Sequence, residues 1–263
     1  MGSATTQALA ATTMALDAAS GVDLDVAGEL FAAARAVGDS SQLSGALADS
    51  AAPVEARRNV VAAVFGKAVK PATVSLLTTA VEQRWSSASE LVDGIEELAV
   101  RAASIAEPEA DVEAELFRFS RTVAENSELE LALGSRLGDS SVKGALVEKL
   151  LVGRASRSTT LIVASLVQQT RERRVRQLLS RAIKLVADQR GRKVATVYAA
   201  TPLSAAQTER LADALSKRYG TAVSLSTVVD PTVVGGLRVQ IADDVIDASV
   251  SSRLADLRQR LAG

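Results

Sequence analysis

The amino-acid sequence repeats itself at an offset of 86 residues. Glu29, Leu30 and Phe31 fall on Glu115, Leu116 and Phe117, Arg35 on Arg121, Val37 on Val123, Ser41 on Ser127, Leu43 on Leu129 and Leu47 on Leu133. Farther along, Arg57 falls on Lys143, Val61 on Val147, Thr73 on Thr159, and Val81, Glu82 and Gln83 on Val167, Gln168 and Gln169. The register runs without a gap, which marks a duplicated supersecondary unit rather than a shared bias toward Ala and Leu. Whatever one copy folds into, the other must fold into as well.

Each copy reads as short amphipathic helices. Pro53 and Pro71 stand where first-turn prolines are tolerated, and Gly66 closes the helix between them. Val74, Leu77, Val81 and Trp85 recur at helical spacing, as do Leu91, Ile95, Leu98, Ala102 and Ile105 ahead of Pro108. In the second copy the stripes are Val112, Leu116, Phe119 and Val123; Val142, Leu146 and Leu150 before Gly153; and Val175, Leu179, Ala182 and Val186 before Gly191. Short connections between such helices predict antiparallel bundles. Small residues such as Ala80, Ala164 and Ser165 could let a guest helix approach closely or could only pack their own bundle.

At about residue 193 the hydrophobic period changes from 3.6 to 2. Val194 to Ala200 alternates as a strand, and Ser204 with Gln207 forms a capping box for a helix ending at Gly220. Val223, Leu225, Thr227 and Val229 alternate next, then Leu237, Val239 and Ile241 after a break at Asp230-Pro231. A final amphipathic helix carries Val250, Leu254, Leu257 and Leu261 on one side. The expected fold is therefore mainly α, with two tandem antiparallel helical bundles, residues 1–106 and 107–192, and a small C-terminal α/β domain, residues 193–263.

Composition removes several chemistries. The chain has no cysteine and no histidine, hence no disulfide, no zinc site of the Cys/His type, no catalytic thiol and no Ser-His-Asp triad. Gly66-Lys67 and Gly191-Arg192-Lys193 lack the preceding spacing of a phosphate loop, and no dinucleotide fingerprint occurs. The paired carboxylates Glu96-Glu97 and Asp243-Asp244 read as a solvated face and a hairpin. The start of the sequence lacks the basic flank of a secretory signal, and the longest clean apolar run, Val60 to Phe65, is far short of the roughly 20 residues that cross a bilayer. No direct membrane insertion, catalytic residue, cofactor or metal is expected.

Charge is uneven. Residues 1–130 carry 9 basic and 20 acidic side chains, and residues 154–193 carry 11 basic and 2 acidic ones. Such a basic stretch suits an acidic protein partner, a membrane surface or a nucleic acid. It contains no aromatic residue for base stacking, which weighs against nucleic acid. Arg171, Arg173, Arg174 and Arg176 are the candidate contacts to a charged partner helix.

The tail also resembles a known family. Val229 to Val239, with Asp230, Pro231, Gly235 and Gly236, followed by Asp244, Val245, Ile246, Asp247 and Ser249, then Arg253 and Leu254, is similar to the C-terminal signature of ATP synthase delta subunits. Val197 to Gln207 is similar to the strand, turn and helix that precede it there. The chain departs from the pattern at Ala242 and Ala248, where the family usually has Gly. Residues 107–190 look like that family's N-terminal helical domain, and residues 7–106 look like a further copy, as in long actinobacterial forms. The resemblance implies a non-catalytic stator subunit of an F-type ATP synthase, peripheral on the cytoplasmic face of the cell membrane. Its partners would be the amino-terminal helix of an alpha subunit and the carboxy-terminal ends of the b subunits, with Val250, Leu257 and Leu261 as further candidate contacts.

Overall fold

A computed structural model describes residues 2–135, 139–241, 244–247 and 249–250. The described residues fall into two compact units, Met1–Val186 and Ala187–Gly263.

Eleven helices are assigned to the first stretch of chain among the described residues: α1 (Ser3–Ala18), α2 (Leu24–Gly38), α3 (Ser41–Ala48), α4 (Val54–Phe65), α5 (Pro71–Glu82), α6 (Ala88–Ala106), α7 (Val112–Glu125), α8 (Ser127–Gly134), α9 (Ser140–Leu151), α10 (Arg157–Gln168) and α11 (Val175–Gln189). Shifted by 86, α3, α4 and α5 land on α8, α9 and α10 with identical bounds, and α2 lands on α7 to within two residues. Helix α6 has two counterparts, α1 one repeat before it and α11 one repeat after it. It is thus the last helix of the first copy and the first helix of the second.

That double role explains the composition of α6. It packs against α1, α2, α3 and α5 of the first copy and against α10 of the second. Leu91, Val92, Ile95, Leu98, Ala99, Val100, Ala102 and Ala103 are all buried, so apolar residues run around most of its circumference. Burying a single large aliphatic side chain stabilises by roughly 1.5–3 kcal/mol, so this shared helix is a major share of the core.

Local chemistry starts the helices. Asp23, Ser40, Ser87, Asp111 and Ser156 cap α2, α3, α6, α7 and α10 by accepting a backbone N–H of the first turn. Pro71 is the first residue of α5, whereas Pro53 sits one position outside α4. Two sequence readings need correction, and a third had two alternatives between which burial decides. The buried face of α9 is Gly144, Val147 and Leu151, and Val142, read as core, is 64% exposed. Trp85 lies beyond the end of α5 rather than on it, and its Nε1 donates to Ala80 O at 2.7 Å, folding the indole back over the helix end. Ala80, Ala164 and Ser165 are buried, so they pack their own bundle rather than an open groove.

The second unit holds β1 (Arg192–Ala199), α12 (Ala205–Tyr219), β2 (Ala222–Val229), β3 (Leu237–Ile241) and β4 (Asp244–Asp247). The sheet order is β2-β1-β3-β4, with β1 and β2 parallel and the other two pairs antiparallel. A parallel pair needs a crossover, and α12 supplies it. Ala195, Val197, Val223, Val239 and Ile241 from the strands and Leu215 from α12 form the core. The expected capping box is present, with Ser204 and Gln207 hydrogen-bonded in both directions.

Candidate functional site

The basic segment ahead of α11 is sorted into inward and outward sets. Arg171 and Glu172 have φ of 46° and 68°, the left-handed region that costs non-glycine residues on the order of 1–3 kcal/mol each. The turn they make is held from both ends. Arg171 pairs with Asp93 of α6, and Arg173 grips Glu96 with both guanidinium nitrogens, at 2.8 and 2.7 Å. Arg173 Nε also donates to Thr170 O at 3.1 Å.

The cluster continues across α6. Glu97 Oε1 accepts from Arg101 Nη2 at 2.8 Å, and Glu97 Oε2 accepts from Arg181 Nη2 of α11 at 3.3 Å. Glu96, Glu97 and Arg101 are each 7% exposed. Burial pushes the Arg171 guanidinium down to about 10, and the positive charges of Arg173 and Arg181 push the same way. Breaking one partner of such a buried network leaves an uncompensated charge, which costs about 3–5 kcal/mol. The carboxylates Glu96 and Glu97 are therefore a buried ionic clasp between α6 and the α11 segment, not the solvated face read from sequence. Their partners lie about eighty residues away, and only the charges set into the otherwise apolar helix signalled them.

Of the predicted partner contacts, Arg171 and Arg173 thus engage this chain's own carboxylates. Arg176 Nε donates to Glu130 Oε1 at 2.9 Å and remains half-exposed, and Arg174 is exposed. Arg174, Arg176, Gln177, Ser180, Arg181 and Lys184 line an open trough of about 500 Å³. A larger cleft of about 770 Å³ opens between α2 and the α9–α10 pair, with Leu24, Gly28, Leu151, Val152 and Leu161 among its lining residues and Glu148 and Arg157 also on its walls.

In the second unit the signature residues build a turn. Asp230 Oδ1 accepts from the Thr232 hydroxyl at 2.6 Å and from its amide at 2.9 Å, and these bonds hold the Asp230 carboxyl below its ordinary value. Asp230 N donates to Ala199 O, fastening the turn to β1, and Pro231 follows in the exposed loop. Gly235 and Gly236 have φ of 65° and 79°, and a Cβ on Gly235 would stand 2.9 Å from Val250 Cγ2. The Gly235 carbonyl accepts from Val250 N at 3.1 Å.

The Asp244 end of β4 faces Ile241, Val245 faces Gln240 and Ile246 faces Val239, while Asp247 Oδ1 accepts from Ser249 N at 2.9 Å. Val250 is 45% exposed. Ala242, Asp243, Ala248, Arg253, Leu254, Leu257 and Leu261 lie outside the described residues.

The chain thus combines helices that pack helices, an open apolar cleft and a small α/β unit with an Asp-Pro turn and a glycine pair. The family model described as ATP synthase delta (OSCP) subunit matches residues 99–261. Along the full length, the chain is 49% identical over 265 residues to the ATP synthase subunit delta of Leifsonia xyli subsp. xyli, covering 100% of both proteins. The chain belongs to the ATP synthase delta (OSCP) family.

As a member of that family it is a structural, non-catalytic subunit of an ATP synthase. The delta subunit of Streptomyces avermitilis is 40% identical over 267 residues, covering 98% of each protein. A chain of the Toxoplasma gondii mitochondrial ATP synthase hexamer covers 64% of this chain and 97% of its own at 25% identity, with a TM-score of 0.37. The family match begins inside α6, so it takes in the second copy and the C-terminal unit. The Leifsonia and Streptomyces delta subunits match along the first copy as well. Among the described residues no helix is long and apolar enough to cross a membrane.

Proposed function

We propose that this delta subunit is the stator brace that joins the amino-terminal helix of an alpha subunit to the carboxy-terminal ends of the b subunits, on the cytoplasmic face of the cell membrane. The full-length 49% identity to a delta subunit carries the reading. The physics is that of tight attachment. A brace must hold the catalytic head against the torque of the rotor, and nanomolar attachment corresponds to about −12 kcal/mol. Seating an amphipathic helix in an apolar cleft supplies free energy of that order, since each anchor side chain contributes roughly 1.5–3 kcal/mol before ordering costs. The cleft between α2 and the α9–α10 pair has the size and lining for such anchors. The extra helical copy either reaches a second alpha subunit or lengthens the stalk.

Membranes from cells lacking this chain, supplied with the purified protein, test the proposal. Addition should restore ATP-driven proton pumping to particles that otherwise hydrolyse ATP without pumping. Pumping that is complete without the chain would refute it.

A further inference from the structure

We infer that the trough along α11 is a docking face for an acidic, amphipathic helical segment of another stalk subunit. The inference deepens the stator reading and rests on it. It begins with the strained turn. The left-handed pair Arg171 and Glu172 turns the chain so that Arg171 and Arg173 reach the carboxylates of α6, while Arg174 and Arg176 are left outside. A regular helix through these residues would not separate the arginines in this way, because neighbours three and four apart share a face.

The outward set continues along α11. Gln177, Ser180 and Lys184 follow Arg174 at intervals of three or four residues and line one wall of the trough with Arg176 and with Arg181, whose guanidinium turns back to Glu97. Its lining holds four cations and, among the described residues, no carboxylate. Arg176 and Arg181 are paired with Glu130 and Glu97, which leaves Arg174 and Lys184 as its exposed ends. Ten residues of helix separate them by roughly 15 Å, about three turns. A partner helix with carboxylates at matching spacing would face both.

The shape favours a polypeptide over a nucleic acid. Ser180 is the short side chain midway along, where a partner backbone can come close. Leu131, 74% exposed, lies with Gly134 in the adjoining hollow that shares Arg174 and Arg176. That is a place for one apolar side chain of an amphipathic segment. Among the described residues no aromatic side chain lines either hollow to stack a base. Exposed pairs of this kind set orientation and association rate more than strength.

The test uses the absence of cysteine in this chain. Ser180→Cys carrying a benzophenone label is incorporated into the complete synthase and irradiated, and the joined peptides are sequenced. The expected product is a net-acidic helical segment of another stalk subunit, with a yield that falls at least tenfold when Arg174→Glu and Lys184→Glu are added. Arg154→Glu, at an exposed site outside the trough, should leave the yield unchanged. Assembled synthase with no crosslink, or with a crosslink to a neutral or basic segment, overturns the inference and spares the stator reading. A chain that fails to co-purify with the synthase overturns both. Binding of the purified chain to duplex DNA or to phosphatidylglycerol vesicles that vanishes in the same double variant, with no peptide crosslink in the synthase, would assign the trough to those anions instead.

Discussion

Glu29 and Glu115, one repeat apart, make the same contact. Glu29 Oε2 accepts from Lys70 N at 2.9 Å and from Thr73 Oγ1 at 2.5 Å, and Glu115 Oε2 accepts from Ser156 N at 2.9 Å and from Thr159 Oγ1 at 2.6 Å. Each glutamate reaches from the second helix of its copy to the first turn of the fifth. There it satisfies N–H and hydroxyl donors that the helix cannot use and places negative charge at the positive end of the helix dipole.

Glu29→Ala and Glu115→Ala should each destabilise the helical unit by about 1–2 kcal/mol, the range for loss of a charged cap. For a unit of this size that lowers Tm by roughly 2–4 °C per kcal/mol. The two sites share no partner, so the double variant should show the sum of the single losses. Calorimetry of the three variants checks this, and an unchanged Tm in either single variant would remove that contact from the account.

Glu115 should also leave a mark on the pH dependence. Burial raises its pKa, but the hydrogen bonds from Ser156 and Thr159 outweigh this and hold it below 4.5. A carboxyl depressed on folding contributes stability that is fully present above its unfolded pKa and is lost as pH falls through the folded value. Urea midpoints should therefore drop on the acid side of about pH 4.5 in the parent. Glu115→Gln should show a shallower drop there and a lower plateau at neutral pH. Parallel curves would contradict the assignment.

Gly94 allows the close approach of Trp85. A Cβ at that position would fall inside the contact distance of the indole, so Gly94→Ala must displace the ring or α6. Overpacking of this kind costs about 1–3 kcal/mol. Trp85 is the single tryptophan, so its emission should shift to the red as the buried indole is pushed toward water. Gly144→Ala meets the flexible end of Gln168 and should be milder. Equal losses at the two glycines would argue against the packing described.

The clasp on α6 should outweigh surface ion pairs. Glu97→Gln removes the buried carboxylate that Arg101 and Arg181 share, with Asp93 still 3.6 Å from Arg181, and should cost about 3 kcal/mol. Glu125→Gln removes the exposed partner of Arg121, at 2.9 Å, and should cost less than about 1 kcal/mol. Chemical denaturation of both variants separates the cases. A small effect at Glu97 would mean that the clasp adds no net stability.

Much of this fold could be read from sequence because its signals are local or repeated. The offset of 86 held because equivalent residues keep equivalent tasks, as Glu29 and Glu115 do. The Ser204–Gln207 capping box lies within four residues, and both of its bonds form. Distant partners were less legible. Glu96 and Glu97 look solvated until Arg173 and Arg181 arrive from the other copy. Val142, Leu146 and Leu150 recur at helical spacing, yet α9 turns Val147 and Leu151 inward, as their counterparts Val61 and Phe65 are turned in α4. Periodicity alone did not decide between adjacent faces of a helix with apolar residues on several sides. Nor did it reveal that α6 serves both copies, since that role depends on which helices meet.

Calorimetric titration of the full-length protein with two peptides, the amino-terminal segment of the same organism's alpha subunit and the carboxy-terminal segment of its b subunit, tests the brace most directly. A linker requires that both bind, each with unchanged affinity when the other is already bound, so that a ternary complex forms. Failure of both to bind, or competition between them for one site, would contradict it.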